Sequence, residues 1–389
     1  MLTRIRVEGF KSLKEIDLEL RELNVLIGAN GAGKSNFVSF FELLKHIYRE
    51  RLAKYVSVRG GASSFLYYGP KFTDSIRSSV VYDLDVGSVR HCFELAYGDP
   101  DRLVFTSEEV EYTPDLDSDK LKGLSVKDRR TWEQGVGIEF ESGFPESKIP
   151  HKIPAQKEDA KKNVLRQAVE KLGSTVTGSP VYHFRDTTRQ AKIRQKVATD
   201  RSRYLFANGG NLAAVLFRLK CEKRDYYDRI VRTIRQVAPF FDDFDFPHPG
   251  NEPEYIQLDW HEKGEEYPFG PHQLSDGTLR AMALITLLFQ PEDDLPNLII
   301  LDEPELGFHP HAIRVLGGLL QHAVEHAQVL VATQSPILVD QFETEDLVIA
   351  NREGKATKLQ RPDSQQLKSW LEEYTLSELW EKNVLGGTP

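Results

Sequence analysis

Three stretches of this 389-residue chain carry residue types that could act together on a phosphate chain. The first is Leu23 to Asn36, LNVLIGANGAGKSN. Its apolar opening, Leu23 to Ile27, does not alternate, which predicts a buried parallel strand. Gly28, Gly31 and Gly33 then let the backbone curl with several N–H groups facing inward. Such a nest on a helix N-terminus takes phosphate oxygens. Asn30, Gly31, Ala32, Gly33, Lys34, Ser35 and Asn36 are the candidate nucleotide-binding residues. Lys34 supplies a point charge for the β- and γ-phosphates, and the Ser35 hydroxyl is a ligand for phosphate-bound Mg²⁺.

The second stretch is Asn297 to Glu303, NLIILDE, an apolar strand ending in two carboxylates. Asp302 is placed to hold Mg²⁺ directly or through water, and Glu303 to polarise the water that attacks the γ-phosphate. Gln334, at the tip of the next apolar strand (Gln328 to Thr333), is a candidate to contact the γ-phosphate or orient that water. The competing reading is an ordinary polar residue at a strand end. The third stretch is HQLSDGT running into the helix LRAMALITLL. Ser275 and Gly277 there sit at a helix N-terminus, a second anion site. One chain already supplies a complete triphosphate cradle, so the second needs a nucleotide held by another molecule.

The elements around these residues follow from periodicity. Ile5 and Val7, and then Ile16, Leu18 and Leu20, alternate with charged residues, which predicts half-exposed strands. Phe37, Phe40, Phe41, Leu44, Ile47 and Tyr48 recur at helical spacing behind the phosphate loop. Ser79 to Val86, Arg90 to Ala96 and Leu103 to Tyr112 predict short antiparallel strands between turns. The stretch 114–180 is rich in charge, Gly and Pro, with a helix predicted from Glu158 to Leu172, and reads as an insertion or arm. The segment from Asn211 to Arg235 is helical. Pro310 opens a further helix at a position where its missing N–H costs nothing.

With 40% hydrophobic residues the chain can bury a substantial core. The net charge of −9 argues against a surface built wholly for nucleic acid. No apolar run reaches membrane-spanning length and no signal-peptide core opens the chain, so the expected location is the cytoplasm. Cys92 and Cys221 are isolated, which excludes a disulfide framework. His309 and His311 have metal-ligand spacing, but beside Pro310 a helix cap fits better. Asp242, Asp243 and Asp245 read as a solvated turn between aromatic residues. Arg185, Arg189, Lys192, Arg194 and Lys196 form the best basic run, either a charged helix face or a nucleic-acid contact.

The spacing of LSDGT resembles the signature motif of ABC-type ATPases, in which two heads sandwich two nucleotides. The opening strands with FKSL resemble RecF/SMC-like heads. DEPELGFHP and ATQSP, with NLAAVL and the ending WLEEYTLSELWEKNVLGG, resemble the OLD-like branch of bacterial ATPases. This resemblance implies an α/β, ABC-type ATPase head. Its parts would be a P-loop core sheet, an antiparallel β subdomain and a helical lobe carrying the signature motif. The implied boundaries are 1–113 and 291–350 for the core, 114–200 for the arm, 201–290 for the helical lobe and 351–389 for a helical tail. It also implies that ATP and Mg²⁺ are the cofactors, that Lys34, Glu303 and Gln334 are catalytic, and that Ser35 and Asp302 ligate the metal. Gln334 holds the switch position, where most ABC proteins have histidine. Glutamine offers only hydrogen bonds there, which suits slow turnover. Gln190 is the nearest candidate for the glutamine of the lobe-connecting loop.

By the same resemblance the expected assembly is a homodimer closed by ATP, or a higher oligomer built from it, with no membrane partner. The expected role is a switch for a separately encoded nuclease or toxin in anti-phage defence. The alternatives are a RecF-like ATPase that handles DNA and the energising subunit of a transporter.

Overall fold

The computed structural model describes residues 1–85, 87–115, 136–149, 160–247 and 253–387. The chain divides into two units. One comprises Met1–Ser179, Glu345–Leu367 and Trp380–Pro389, and the other Pro180–Thr344 and Lys368–Leu379.

In the first unit the alternating strands build one six-stranded antiparallel sheet. Along it, Leu13–Glu19 pairs with Leu2–Phe10, which pairs with Ser75–Leu84, followed by Gly87–Gly98, Arg102–Pro114 and Val136–Phe140. One face is apolar and closed: Ile5, Val7, Val80, Val89, Leu95 and Val110 are all buried. The other face carries cross-strand ion pairs, such as Arg4 with Asp17 at 2.7 Å and Arg77 with Glu94 at 2.8 Å. That division is what a period-two pattern produces when one face meets helices and the other meets water.

The described parts of the charged stretch expected to form an arm belong to this sheet and its cover. Val136–Phe140 is the edge strand, and the helix Ala160–Gly178 packs on the phosphate-loop helix and on the strands Gly87–Gly98 and Arg102–Pro114. Leu165, Ala168, Val169, Leu172 and Val176 give that helix its buried stripe, which charge content alone conceals. The expected helix start at Glu158 and residues 116–135 lie outside the described residues.

The phosphate-loop strand, Leu23–Ile27, is buried at all five positions. It pairs in parallel with Leu347–Glu353, which pairs antiparallel with Ala356–Gln360. The helix Lys34–Tyr48 follows, and every residue of its predicted apolar face is buried. Its far end is held by a polar cluster inside the sheet cover. Burial holds the Tyr48 phenol well above its ordinary pKa, and its OH shares a hydrogen bond with His91 Nδ1 at 2.8 Å. His91 Nε2 then faces Glu108 at 3.4 Å. Glu108, only 1% exposed, also accepts from Ser147 Oγ at 2.6 Å and from the Lys148 N–H at 2.9 Å.

In the second unit, Leu298–Asp302 runs parallel to Gln328–Ala332 on one side and to Val181–Tyr182 on the other. The two longer strands are buried at every position, as parallel strands covered on both faces must be. The helices Leu212–Glu222, Arg224–Val237 and Asp276–Leu288 pack together, and the last also packs on Pro310–Val324. Arg218 and Asp294 pair at 2.6 Å with little exposure.

The Glu108 cluster yields the first prediction. Glu108→Ala removes the acceptor of the buried Ser147 hydroxyl and of the Lys148 N–H, which costs about 1–3 kcal/mol. Glu8→Ala removes only a surface partner of Arg6 and is near-neutral. Calorimetry should show a several-degree drop in Tm for the first and almost none for the second.

Candidate functional site: a phosphate cradle and an acidic pair

The phosphate loop lies in the first unit. Gly28, Gly31 and Gly33 all take positive φ, at 152°, 79° and 106°. Two of them are glycine for a second reason, the closeness of the chain beneath. A Cβ on Gly28 would stand 2.4 Å from the Ala350 carbonyl, and one on Gly33 1.9 Å from Thr357 Oγ1. Thr357 Oγ1 donates to the Ala32 carbonyl at 2.9 Å, and the Ala29 N–H donates to the Gly387 carbonyl at 2.6 Å. Lys34 is 5% exposed, with Nζ donating to the carbonyls of Gly28 at 2.6 Å and Ala29 at 3.1 Å. The helix that starts at Lys34 has no side-chain cap and no acidic residue in its first turn. Its positive end is therefore presented to an anion with no carboxylate competing.

Asn30, Gly31 and Ser35 are exposed on this loop, and Ala32 is buried. Asn36 turns inward instead, donating from Nδ2 to Ser12 Oγ at 2.7 Å. Its role in this structure is to tie the loop to the first hairpin.

In the second unit the strand Leu298–Asp302 delivers Asp302, whose side chain is 10% exposed, and then Glu303. Glu303 has φ of 51°, a left-handed conformation that costs a non-glycine residue about 1–3 kcal/mol. Its N–H donates to the Ala332 carbonyl at 2.8 Å. Gln334 donates its side-chain amide to Glu303 Oε1, so this residue grips the carboxylate directly. Glu305, absent from the residues singled out in sequence, organises the same loop. Its Oε1 accepts from Thr333 Oγ1 at 2.5 Å and from the Gln334 N–H at 3.1 Å. Burial pushes the Glu305 carboxyl above its ordinary pKa, against the pull of those hydrogen bonds.

Arg185 completes the acidic pair. Its guanidinium reaches Asp302 Oδ2 at 2.8 Å and Glu303 Oε2 at 3.4 Å. The basic run is thus not a helix face: Lys192–Arg194 is a single 3₁₀ turn in an irregular segment. Arg194 is only 5% exposed and donates to the carbonyls of Pro271 and Leu274 and to Asp276 Oδ1, the last at 2.8 Å. A run of cations in sequence cannot reveal that two of them are consumed by internal partners. Gln190 is exposed, and the lobe-connecting segment offers Arg185 to the carboxylates in its place.

Ser275 caps the helix Asp276–Leu288, accepting from the Thr278 N–H at 3.1 Å. Gly277 faces the Gly307 carbonyl so closely that a Cβ would lie 2.5 Å from it. The glycine therefore permits packing against the loop that follows Glu303. His309 caps its helix, with Nδ1 accepting from the His311 N–H at 3.3 Å. Asp242 and Asp243 lie in the strand Phe241–Phe244, where Asp243 accepts from Tyr227 OH at 2.6 Å.

The donor chemistry fits Mg²⁺ and a polyphosphate. Asp302 and Glu303 already attract a cation, and carboxylate and hydroxyl oxygens are hard donors of the kind Mg²⁺ takes.

These strands and loops have the fold of SMC-type ATPase heads. The chain is similar to the Smc head bound to the C-winged helix domain of ScpA, over 95% of this chain and 99% of that one, with TM-score 0.54 at 10% identity. It is similarly like the Smc head with an extended coiled coil bound to the C-terminal domain of ScpA derived from Pyrococcus furiosus. There the TM-score is 0.52 at 12% identity, over 96% of this chain and 98% of that one. The chain belongs to the family of AAA domains described as putative AbiEii toxin, Type IV TA system, whose model matches residues 23–340. No curated protein matches it in sequence.

Glu305 supplies the second prediction. A pKa raised in the folded state means that the folded chain binds the proton more tightly. Glu305 therefore favours the fold on the acid side of its raised pKa, and opposes it as pH rises through that value. Glu305→Gln keeps the Oε1 acceptor but never ionises. Its Tm should match or exceed that of the natural chain at mildly alkaline pH, with the difference shrinking towards acid pH in thermal melts.

Proposed function

We propose that the chain binds ATP with Mg²⁺, hydrolyses it slowly, and closes as a homodimer around it to switch a separately encoded effector. The observation that carries this reading is the presence in one chain of two helix starts of different build. The start at Lys34 has a cation, a glycine nest and no cap. The start at Asp276 is capped by its own Ser275. A complete cradle leaves the second start for a nucleotide that another copy holds.

In this reading the loop N–H groups of Asn30, Gly31, Gly33, Lys34 and Ser35 and the Lys34 ammonium would hold the phosphates. Ser35 and Asp302 are the residues that would hold Mg²⁺, and the ion would supply neutralising charge for the phosphates. Glu303, steered by Gln334, accepts the proton of the attacking water. Because Gln334 is spent on Glu303, it acts as a positioning residue for that base. The family description supports a toxin–antitoxin setting. No helix among the described residues is long and apolar enough to cross a membrane. A cytoplasmic switch agrees with that. Direct DNA handling has less support, since Arg185 and Arg194 of the basic run are engaged internally.

Two outcomes are expected. Glu303→Gln should bind ATP as the natural chain does yet lose roughly 10²–10⁴-fold in hydrolysis, as removal of a general base does. A rate equal to the natural chain's would remove Glu303 from that role. Ser275→Arg and Lys34→Ala should each be inactive alone. Their mixture should recover part of the ATPase activity, because one composite site in each mixed dimer is intact. No recovery from proven heterodimers would exclude action between copies.

A further inference from the structure

We infer that Arg185 is a resident counter-ion of the Asp302–Glu303 pair, one that a divalent cation has to displace. Resting on the ATPase reading of this site, the inference adds a gating residue to it. A guanidinium cannot ligate a metal, since it has five N–H donors and no acceptor. At 2.8 Å from Asp302 and 3.4 Å from Glu303, it takes the lone pairs that Mg²⁺ would use. Cation and metal therefore compete for the same oxygens.

The surroundings show that the segment bearing Arg185 is built to transmit that competition. Phe184, immediately before it, has φ of 29°, a strained value for a bulky side chain. Arg280, on the helix that Ser275 caps, donates to the Phe184 carbonyl at 3.1 Å and the Arg185 carbonyl at 2.9 Å. It also reaches the Leu306 carbonyl at 3.0 Å, on the loop that follows the acidic pair. Nine residues further along, Arg194 grips Asp276 and the Leu274 carbonyl, on either side of Ser275. The segment is thus fastened to the start of that helix through both arginines, while the Arg185 head, 45% exposed, is the part free to swing into water. Release of Arg185 from the carboxylates is felt first by the backbone that Arg280 holds.

The test is metal affinity, read by the EPR signal of free Mn²⁺ during titration of the full chain without nucleotide. Arg185→Gln should bind Mn²⁺ about fivefold more tightly than the natural chain, the factor set by one part-exposed ion pair. Arg185→Lys keeps the charge and should stay near the natural affinity, and Asp302→Asn should abolish the tight site in either background. Equal affinities for the natural chain and Arg185→Gln, including no detectable binding by both, would overturn the inference. Calorimetric binding of a non-hydrolysable ATP analogue to the natural chain, run alongside, tests the ATPase reading separately.

Discussion

A backbone that offers its N–H groups to a ligand must have its other side satisfied by the protein, and that constraint governs the first unit. The loop from Gly28 to Lys34 turns carbonyls and Cα atoms towards the interior, where they meet Ala350 and Thr357, and its Ala29 N–H donates to the Gly387 carbonyl. The strands Leu347–Glu353 and Ala356–Gln360 arrive more than 300 residues later to supply this bed. Lys34 joins the same economy by bonding the loop's own carbonyls. The long-range sheet pairing and the local glycine geometry are one solution: without the bed the positive-φ turns have nothing to hold them.

The second unit solves the opposite problem. Asp302 and Glu303 bring negative charge to the end of a fully buried strand, where desolvation is costly unless a partner answers it. Arg185 answers it from the neighbouring strand's end, and Gln334 fixes the remaining oxygen of Glu303. Glu305, half a turn of chain later, braces Thr333 and Gln334. The strained φ of Glu303 persists because strand, amide and guanidinium together leave it no alternative.

Much of this was legible in the residues themselves. The non-alternating runs Leu23–Ile27, Leu298–Asp302 and Gln328–Ala332 are buried strands, and the helical face from Phe37 to Tyr48 is buried throughout. Period and spacing encode such features locally. The bracing residues were not legible. Thr357 and Gly387 act on a loop far away in sequence, and nothing near them marks the contact. Arg185 and Arg194 resembled a solvated face because like charges at close spacing usually are one; only the fold reveals that each has a carboxylate partner. The close approach of the Gly307 carbonyl to Gly277 was likewise not legible, since Gly307 lies thirty residues further along. The sheet membership of Val136–Phe140 was hidden by a charged, turn-rich setting.

The account turns on the claim that ATP is held by two copies at once, one through its phosphate loop and the other through the helix start at Ser275. Light scattering of the slow variant Glu303→Gln measures this directly as molar mass with and without ATP. The account predicts a monomer that becomes a dimer when Mg²⁺ and ATP are added, and remains a monomer when Ser275→Arg is also present. A mass that does not change while ATP is demonstrably bound would contradict it.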